Sequence, residues 1–377
     1  MVVNMYNAET KQLKFNENGK FKILMISDFH AQGNFNGVGR ARFRHKMIKG
    51  IELLLNETNP DFVMLGGDQC ISSGDDMPGI SKEEDMNLAY ETLKEIMEPV
   101  NSKGIPWGFV YGNHDEERML TKEEQFPVYK KFPLCLSEKG PEDIYGVGNY
   151  VLPVYSSKDN SIAYNIFALD SNNWKSEYVR EFGIKEEDDN IVLPRPFCRR
   201  SGQAMPFFNQ VMWYYNTSRD MEKANGKKIP AVLCMHNPCI EYNHIVRNPE
   251  ETKMIGESRD SMGYSELNSG LFFACLERGD VRGIFCGHEH LNNFQGKYCG
   301  ITLAYDSCVG FDMTAHDDLR GGRIIELDEE KGTFETHHIT FMSLMGDEAI
   351  RDPERTFFDY ETNLGKQTYN IRFIHMD

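Results

Sequence analysis

Seven side chains able to bind a metal stand just past the ends of short apolar runs: Asp28 and His30, Asp68, Asn113, His236, and His288 with His290. His114 follows Asn113 and Asp115 follows His114, so an amide, an imidazole and a carboxylate occupy consecutive positions. Taken singly, each has an ordinary explanation. Asp28 or Asp68 could cap a helix, Asn113 and Asp115 could shape a turn, His236 could line the turn at Asn237-Pro238, and the paired histidines could be solvated. Repeated in order after five separate runs, the pattern reads as a metal site. Asp, Asn and His together supply oxygen and nitrogen donors of middling hardness, which suit two ions such as Mn, Fe or Zn better than Ca or Cu. Asp68, the one carboxylate of its run, is the natural bridge between ions roughly 3.5 to 4 Å apart, a spacing at which they share a hydroxide and clamp a phosphoryl group.

For these residues to meet, the runs before them must be strands of an open α/β sheet, whose ligands gather at the carboxyl ends. Residues 21–27, 61–65, 105–111, 231–235 and 281–286 supply those strands, and Gly112 allows the tight turn that presents Asn113 and His114. Helices fit between them. Met47, Ile48, Ile51, Leu54 and Leu55 share one face, and Ser81 with Glu84 forms a capping box that opens a helix through Ala89, Leu93, Ile96 and Met97, closed by Pro99. Further helices are expected over residues 205–223, ended by Asn225-Gly226, and over Leu267, Leu271, Ala274 and Arg278, ended by Gly279. Leu13 and Phe15, then Asn18-Gly19, then Phe21 onward predict a hairpin. Other strands are expected at 145–155, 161–169, 301–306, 322–327, 333–341 and 369–374.

The periodicity fails from 171 to 202, which reads as a surface insertion. No Pro- or Ser-rich linker interrupts the chain, so one domain over 1–345, with its insertion at about 171–203, and a C-terminal extension over 346–377 are expected. The arginines at 40, 42 and 44 read as a solvated loop sooner than as a grip on substrate charge, and Trp174, Tyr178 and Phe182 would suit stacking or anchor the insertion.

Composition sets outer bounds. The net charge of -17, from 41 basic and 58 acidic residues in 377, disfavours nucleic acid or an anionic membrane as a partner, since either needs a basic face. Nine cysteines without a C-x-x-C pair read as reduced thiols. With no leader pattern and no long apolar stretch, the expected location is cytoplasmic.

On these residues the chain resembles the calcineurin-like metallophosphoesterases: Asp-x-His, Gly-Asp, Gly-Asn-His-Asp, a lone strand-end His and Gly-His-x-His occur in that order over residues 21–327. Within them it is similar to the purple-acid-phosphatase-like branch of cytosolic phosphatases. Gly67-Asp68-Gln69, Gly112-Asn113-His114-Asp115-Glu116-Glu117, His236-Asn237-Pro238 with Glu241-Tyr242, Asn268-Ser269-Gly270 and Gly287-His288-Glu289-His290-Leu291-Asn292-Asn293-Phe294 carry that likeness. The resemblance implies a four-layer α/β/β/α sandwich. It also implies Asp28, His30, Asp68 and His290 around one ion, and Asp68, Asn113, His236 and His288 around the other. His114 would contact the phosphoryl oxygen or protonate the leaving group, with Asp115 fixing its orientation and raising its basicity. True purple acid phosphatases have Gly where this chain has His30, and a metal-binding Tyr where it has Ile71. No purple ferric centre is therefore implied, and His30 restores the lost ligand.

The expected activity is that of a metal-dependent phosphoric ester hydrolase, opening a phosphomonoester by in-line attack of a metal-bound hydroxide. Two readings stand beside it: a phosphodiesterase on a small diester or nucleotide, and a protein-binding scaffold without catalysis. A small phosphoester or a phosphoprotein fits the acidic balance better than a polymeric nucleic acid.

Overall fold

The computed structural model describes residues 6–7, 12–31, 44–72, 79–174, 203–265, 267–311 and 315–345. Its centre is a pair of facing sheets. In the first, β3 (Lys20–Ile26), β4 (Phe62–Leu65) and β5 (Trp107–Phe109) run parallel, with β12 (Gly321–Asp328) antiparallel to β3 and β13 (Thr333–Thr340) at the edge. In the second, β7 (Ile162–Ala168), β8 (Ala231–Cys234), β9 (Val281–Cys286) and β11 (Ile301–Tyr305) run parallel. β10 (Gln295–Tyr298) closes one side of that sheet; β6 (Tyr150–Tyr155), β2 (Gln12–Lys14) and β1 (Tyr6–Asn7) extend the other.

The central strands are apolar throughout because both of their faces are covered. Phe21, Ile23 and Met25 of β3 face Val232, Phe285 and Ala304 across the space between the sheets. Leu24 and Ile26 turn the other way, into a core completed by Ile51 and Leu54 of α1 (Arg44–Thr58) and Leu93 and Ile96 of α2 (Lys82–Ser102), with α3 (Lys122–Tyr129) beside them. On the far side, Leu233 and Ile284 pack on Tyr214 of α4 (Phe208–Asn225), Tyr242 of α5 (Tyr242–Arg247) and Leu271 of α6 (Leu271–Arg278). The result is a four-layer α/β/β/α sandwich. No helix of the described residues is long and apolar enough to cross a membrane.

Three sequence expectations change. β2 and β3 do not form a hairpin. The turn at Asn16–Gly19, closed by Gly19 N–H to the Asn16 carbonyl at 2.8 Å, sends them into different sheets, and Leu13, Phe15 and Phe21 meet in the core between. Pro99 does not close α2; the helix runs on to Ser102 because Val100 continues its buried face. Phe341 starts a short helix, α7 (Phe341–Met345), in place of ending β13. The capping box of Ser81 with Glu84 is present, and Gly226 ends α4 with a left-handed φ of 73°. A second box, Thr121 with Glu124 at the start of α3, carries a sequence signal that the periodicity alone does not show. The strand expected at 369–374, the extension over 346–377 and residues 175–202 of the insertion lie outside the described residues.

Candidate metal centre

Parallel pairing does not stop where the strands end. Asp28 N–H donates to the Gly67 carbonyl and His30 N–H to the Asp68 carbonyl, both at 3.0 Å, so the loops after β3 and β4 stay side by side. Ser27 also pairs with Cys308, beyond β11, which ties the first sheet to the second. Along these loops Asp28, His30, Asp68 and Cys70 hold left-handed φ values of 54°, 44°, 52° and 49°, and His288 one of 81°. Each such conformation is unfavourable by roughly 1–2 kcal/mol for a residue with a Cβ, and clusters of them mark sites where backbone shape serves chemistry.

The seven candidate ligands come together. Asp28, His30 and His290 form one group of mutually close ligand atoms, and Asp68, His236 and His288 another. His290 Nε2 lies 3.2 Å from Asp28 Oδ1. Asp68 Oδ2 lies 3.2 Å from His236 Nε2 and 3.6 Å from His30 Nε2, so one carboxylate oxygen faces both groups. Asn113 is buried beside them, and the N–H of the next residue, His114, donates to Asp68 Oδ1 at 2.8 Å.

Whether cations fit here is decided by what the donors lack. Asp28 Oδ1, Asp68 Oδ2, His236 Nε2 and both amide atoms of Asn113 are buried without a hydrogen-bond partner. Leaving that many polar atoms unpaired is costly unless a cation meets them. His236 Nδ1 donates to the Gly66 carbonyl at 2.8 Å, which points Nε2 towards the carboxylates, where it can ligate once a metal displaces its proton. Burial holds His30 and His288 down to about 3, so both are neutral and able to ligate. Burial also pulls on His236, but Asp68 and Asp28 outweigh it and raise that imidazole to about 10. The donor set therefore suits divalent metal ions.

Two glycines make room for this. A Cβ on Gly112 would run into the Asp68 carboxylate, and one on Gly67, whose φ is 103°, would run into the His236 ring.

Asp115 does not do what the resemblance implies. It is a buried brace: Oδ2 accepts the N–H groups of Asp68 at 3.0 Å and Gly112 at 2.7 Å, and Oδ1 that of Cys70 at 2.7 Å. With both oxygens engaged by backbone, it shapes the Asp68 loop and leaves His114 to another carboxylate. That group is Glu117, whose Oε2 lies 2.5 Å from His114 Nδ1. Burial lowers the pKa of His114, but Glu117 and Asp68 raise it further than burial lowers it. The sequence held the signal, since Glu117 is three residues after His114, but adjacency favoured Asp115.

Other groups surround the centre. Cys70 Sγ lies 3.4 Å from His30 Nδ1, and Glu289, buried between the two histidines of its loop, accepts the Gly263 N–H. Trp174 stands edge-on to His114 with ring centroids 5.4 Å apart. Arg44 is spent on structure, donating to the Ala31 carbonyl at 2.7 Å and pairing with Glu95, while residues 40, 42, 178 and 182 lie outside the described residues.

The model of the calcineurin-like phosphoesterase family matches residues 21–292. Among curated proteins, the chain is 27% identical over 333 residues to "Probable inactive purple acid phosphatase 14" of Arabidopsis thaliana, covering 82% of this chain and 75% of that one. It is 24% identical over 313 residues to "Phosphatase DCR2" of Saccharomyces cerevisiae, covering 75% of this chain and 46% of that one. Among solved structures, a dimetal phosphatase from Danio rerio aligns over 85% of this chain and 99% of its own, at 12% identity and a TM-score of 0.49. The family match spans all the strand-end ligands and the strands that carry them, and the chain belongs to the calcineurin-like phosphoesterase family.

Proposed function

We propose that this protein hydrolyses a phosphomonoester with the help of two divalent metal ions. The observation that carries the reading is the pair of neighbouring ligand groups, with Asp68 Oδ2 facing both and with Asp28 Oδ1, Asp68 Oδ2 and His236 Nε2 buried without a hydrogen-bond partner. Asp28, His30, Asp68 and His290 would hold one ion; Asp68, Asn113, His236 and His288 would hold the other. When bound, such a pair of Mn, Fe or Zn ions lowers the pKa of coordinated water and offsets phosphoryl charge.

The chain's own groups do the rest. Asn113 adds a neutral donor, which limits the negative charge around the ions. The Asp115 brace holds Asp68 in place through the Asp68 and Gly112 N–H groups. His114 is partly open to solvent, with 35% of its side chain exposed, so it can face an incoming ester. Glu117 on Nδ1 keeps the imidazole protonated and orients Nε2, which delivers a proton to the departing oxygen. A small phosphoester or phosphoprotein is the expected substrate, and a reducing compartment is expected from eight free cysteines among the described residues, seven of them buried.

The name of the plant relative favours a second reading, a chain that keeps the fold without turnover. The complete ligand set and the His114–Glu117 pair argue for catalysis. Elemental analysis of the purified protein, with p-nitrophenyl phosphate and bis-p-nitrophenyl phosphate hydrolysis under added Mn, tests both. Two ions per chain and faster monoester turnover are expected. Faster diester turnover would replace the reading with a phosphodiesterase, and inert protein that has taken up Mn would leave the scaffold.

A further inference from the structure

We propose that Cys70 is a positioning residue of the metal centre: its sulfur accepts the His30 Nδ1 proton and so fixes that ring with Nε2 free for an ion. The proposal rests on the two-ion part of the reading above and adds a group outside the ligand set.

Cys70 reaches His30 because their loops run on side by side past β3 and β4. His30 N–H donates to the Asp68 carbonyl and Ala31 N–H to the Gln69 carbonyl, both at 3.0 Å. His30 and Cys70 both hold left-handed backbone, with φ of 44° and 49°, and Asp115 Oδ1 accepts the Cys70 N–H at 2.7 Å. The sulfur is thereby placed from its backbone. It lies 3.4 Å from His30 Nδ1, within reach of a hydrogen bond to sulfur, and each residue is only 2% exposed. Bulk water cannot take the place of either partner.

The far end of the ring says which nitrogen an ion would take. His30 Nε2 lies 3.3 Å from His290 Nε2 and 3.6 Å from Asp68 Oδ2, among the candidate ligand atoms, while Nδ1 faces Cys70. Cys70 itself is in neither ligand group. An imidazole that ligates through Nε2 carries its proton on Nδ1, and a buried N–H without an acceptor is costly. Among the described residues, Cys70 Sγ is the partner that His30 Nδ1 has. His236 repeats the arrangement with another acceptor: its Nδ1 faces the Gly66 carbonyl at 2.8 Å, and its Nε2 faces Asp68. Sulfur accepts weakly, so Cys70 acts on the tautomer and aim of the ring more than on its basicity.

The test is NMR of Zn-loaded protein with isotope-labelled histidine rings, beside calorimetric titration with Zn. The His30 signal, identified by its loss in His30→Gln, should carry its proton on Nδ1 and exchange it slowly with water. Cys70→Ala should speed that exchange and weaken one of the two Zn ions about tenfold, with the other unchanged. Cys70→Ser keeps a hydrogen-bonding group beside Nδ1 and should recover most of both effects. A proton on His30 Nε2, or exchange and Zn affinity that Cys70→Ala leaves unchanged, overturns the proposal. So does an equal loss in the Ala and Ser variants, which would mean that the thiol only fills space. The signal from unaltered protein decides the tautomer even where a variant fails to fold. Protein that takes up no Zn overturns the two-ion reading and the proposal with it. Protein with two ions and the Nδ1 proton that hydrolyses neither p-nitrophenyl ester refutes the phosphatase reading and leaves Cys70 its role.

Discussion

Two carboxylates close to His114 divide the labour between them. Asp115 holds backbone, and Glu117 holds the imidazole. Asp115→Asn places an amide against the N–H groups of Asp68 and Gly112, so it should lower stability by roughly 2 kcal/mol in thermal melts and weaken Mn binding. It should leave the dependence of rate on the leaving group unchanged. His114→Ala should keep both ions but slow an alkyl phosphate about 100-fold or more, with a far smaller loss on p-nitrophenyl phosphate, whose leaving group needs no proton. Glu117→Gln should show the same pattern more weakly; steady-state rates on the two esters decide. His236 carries a second prediction. In metal-free protein Asp68 and Asp28 keep it protonated, with a pKa of about 10, whereas His30 and His288, near 3, have no proton to lose. Metal at Nε2 must displace the His236 proton, and a falling proton concentration favours that exchange. Apparent Mn affinity should rise by about tenfold per pH unit from pH 6 to 8, with one proton released per chain, as titration in buffers of different ionisation enthalpy would show. A flat profile would contradict it.

At the scale of elements, the site depends on loops that stay paired after their strands have ended, and on the glycines that let them approach. Gly112→Ala brings a methyl group against the Asp68 carboxylate and backbone, and it should remove most of the bound Mn. Gly226→Ala strains a left-handed C-cap with open space around it, so it should cost about 1 kcal/mol and leave metal content intact. Elemental analysis beside thermal melts separates the two. The contrast follows from position: one glycine clears space for a ligand, and the other only turns the chain. Legibility follows the same line. Strand ends, the Ser81 box and the Gly226 stop are local signals and could be read. The parting of β2 from β3 could not, because a tight turn looks the same whether its strands pair or enter different sheets.

For the whole molecule, two sheets converge on one small volume that holds Asp28, Asp68, the amide of Asn113 and the imidazoles of His30, His236, His288 and His290, most of them buried. Cations that satisfy them bind only the folded chain. Saturating Mn, at about one hundred times its Kd, should therefore stabilise the protein by about 2.7 kcal/mol, a rise of a few degrees in Tm over chelated protein. Asp68→Asn should lose most of that rise; an unchanged response to Mn in this variant would remove Asp68 from the shared position.

The sequence alone determined which residues could ligate, in what order, and that they lie at strand ends, because apolar runs and the polar residues that stop them are local features. Only the tertiary structure decided which carboxylate serves His114, that Arg44 belongs to Ala31 and Glu95, and that Trp174 meets His114. Those outcomes depend on contacts between distant segments. The N–H groups of Asp68 and Cys70 that claim Asp115 lie more than forty residues before it, and no spacing near Asp115 records them.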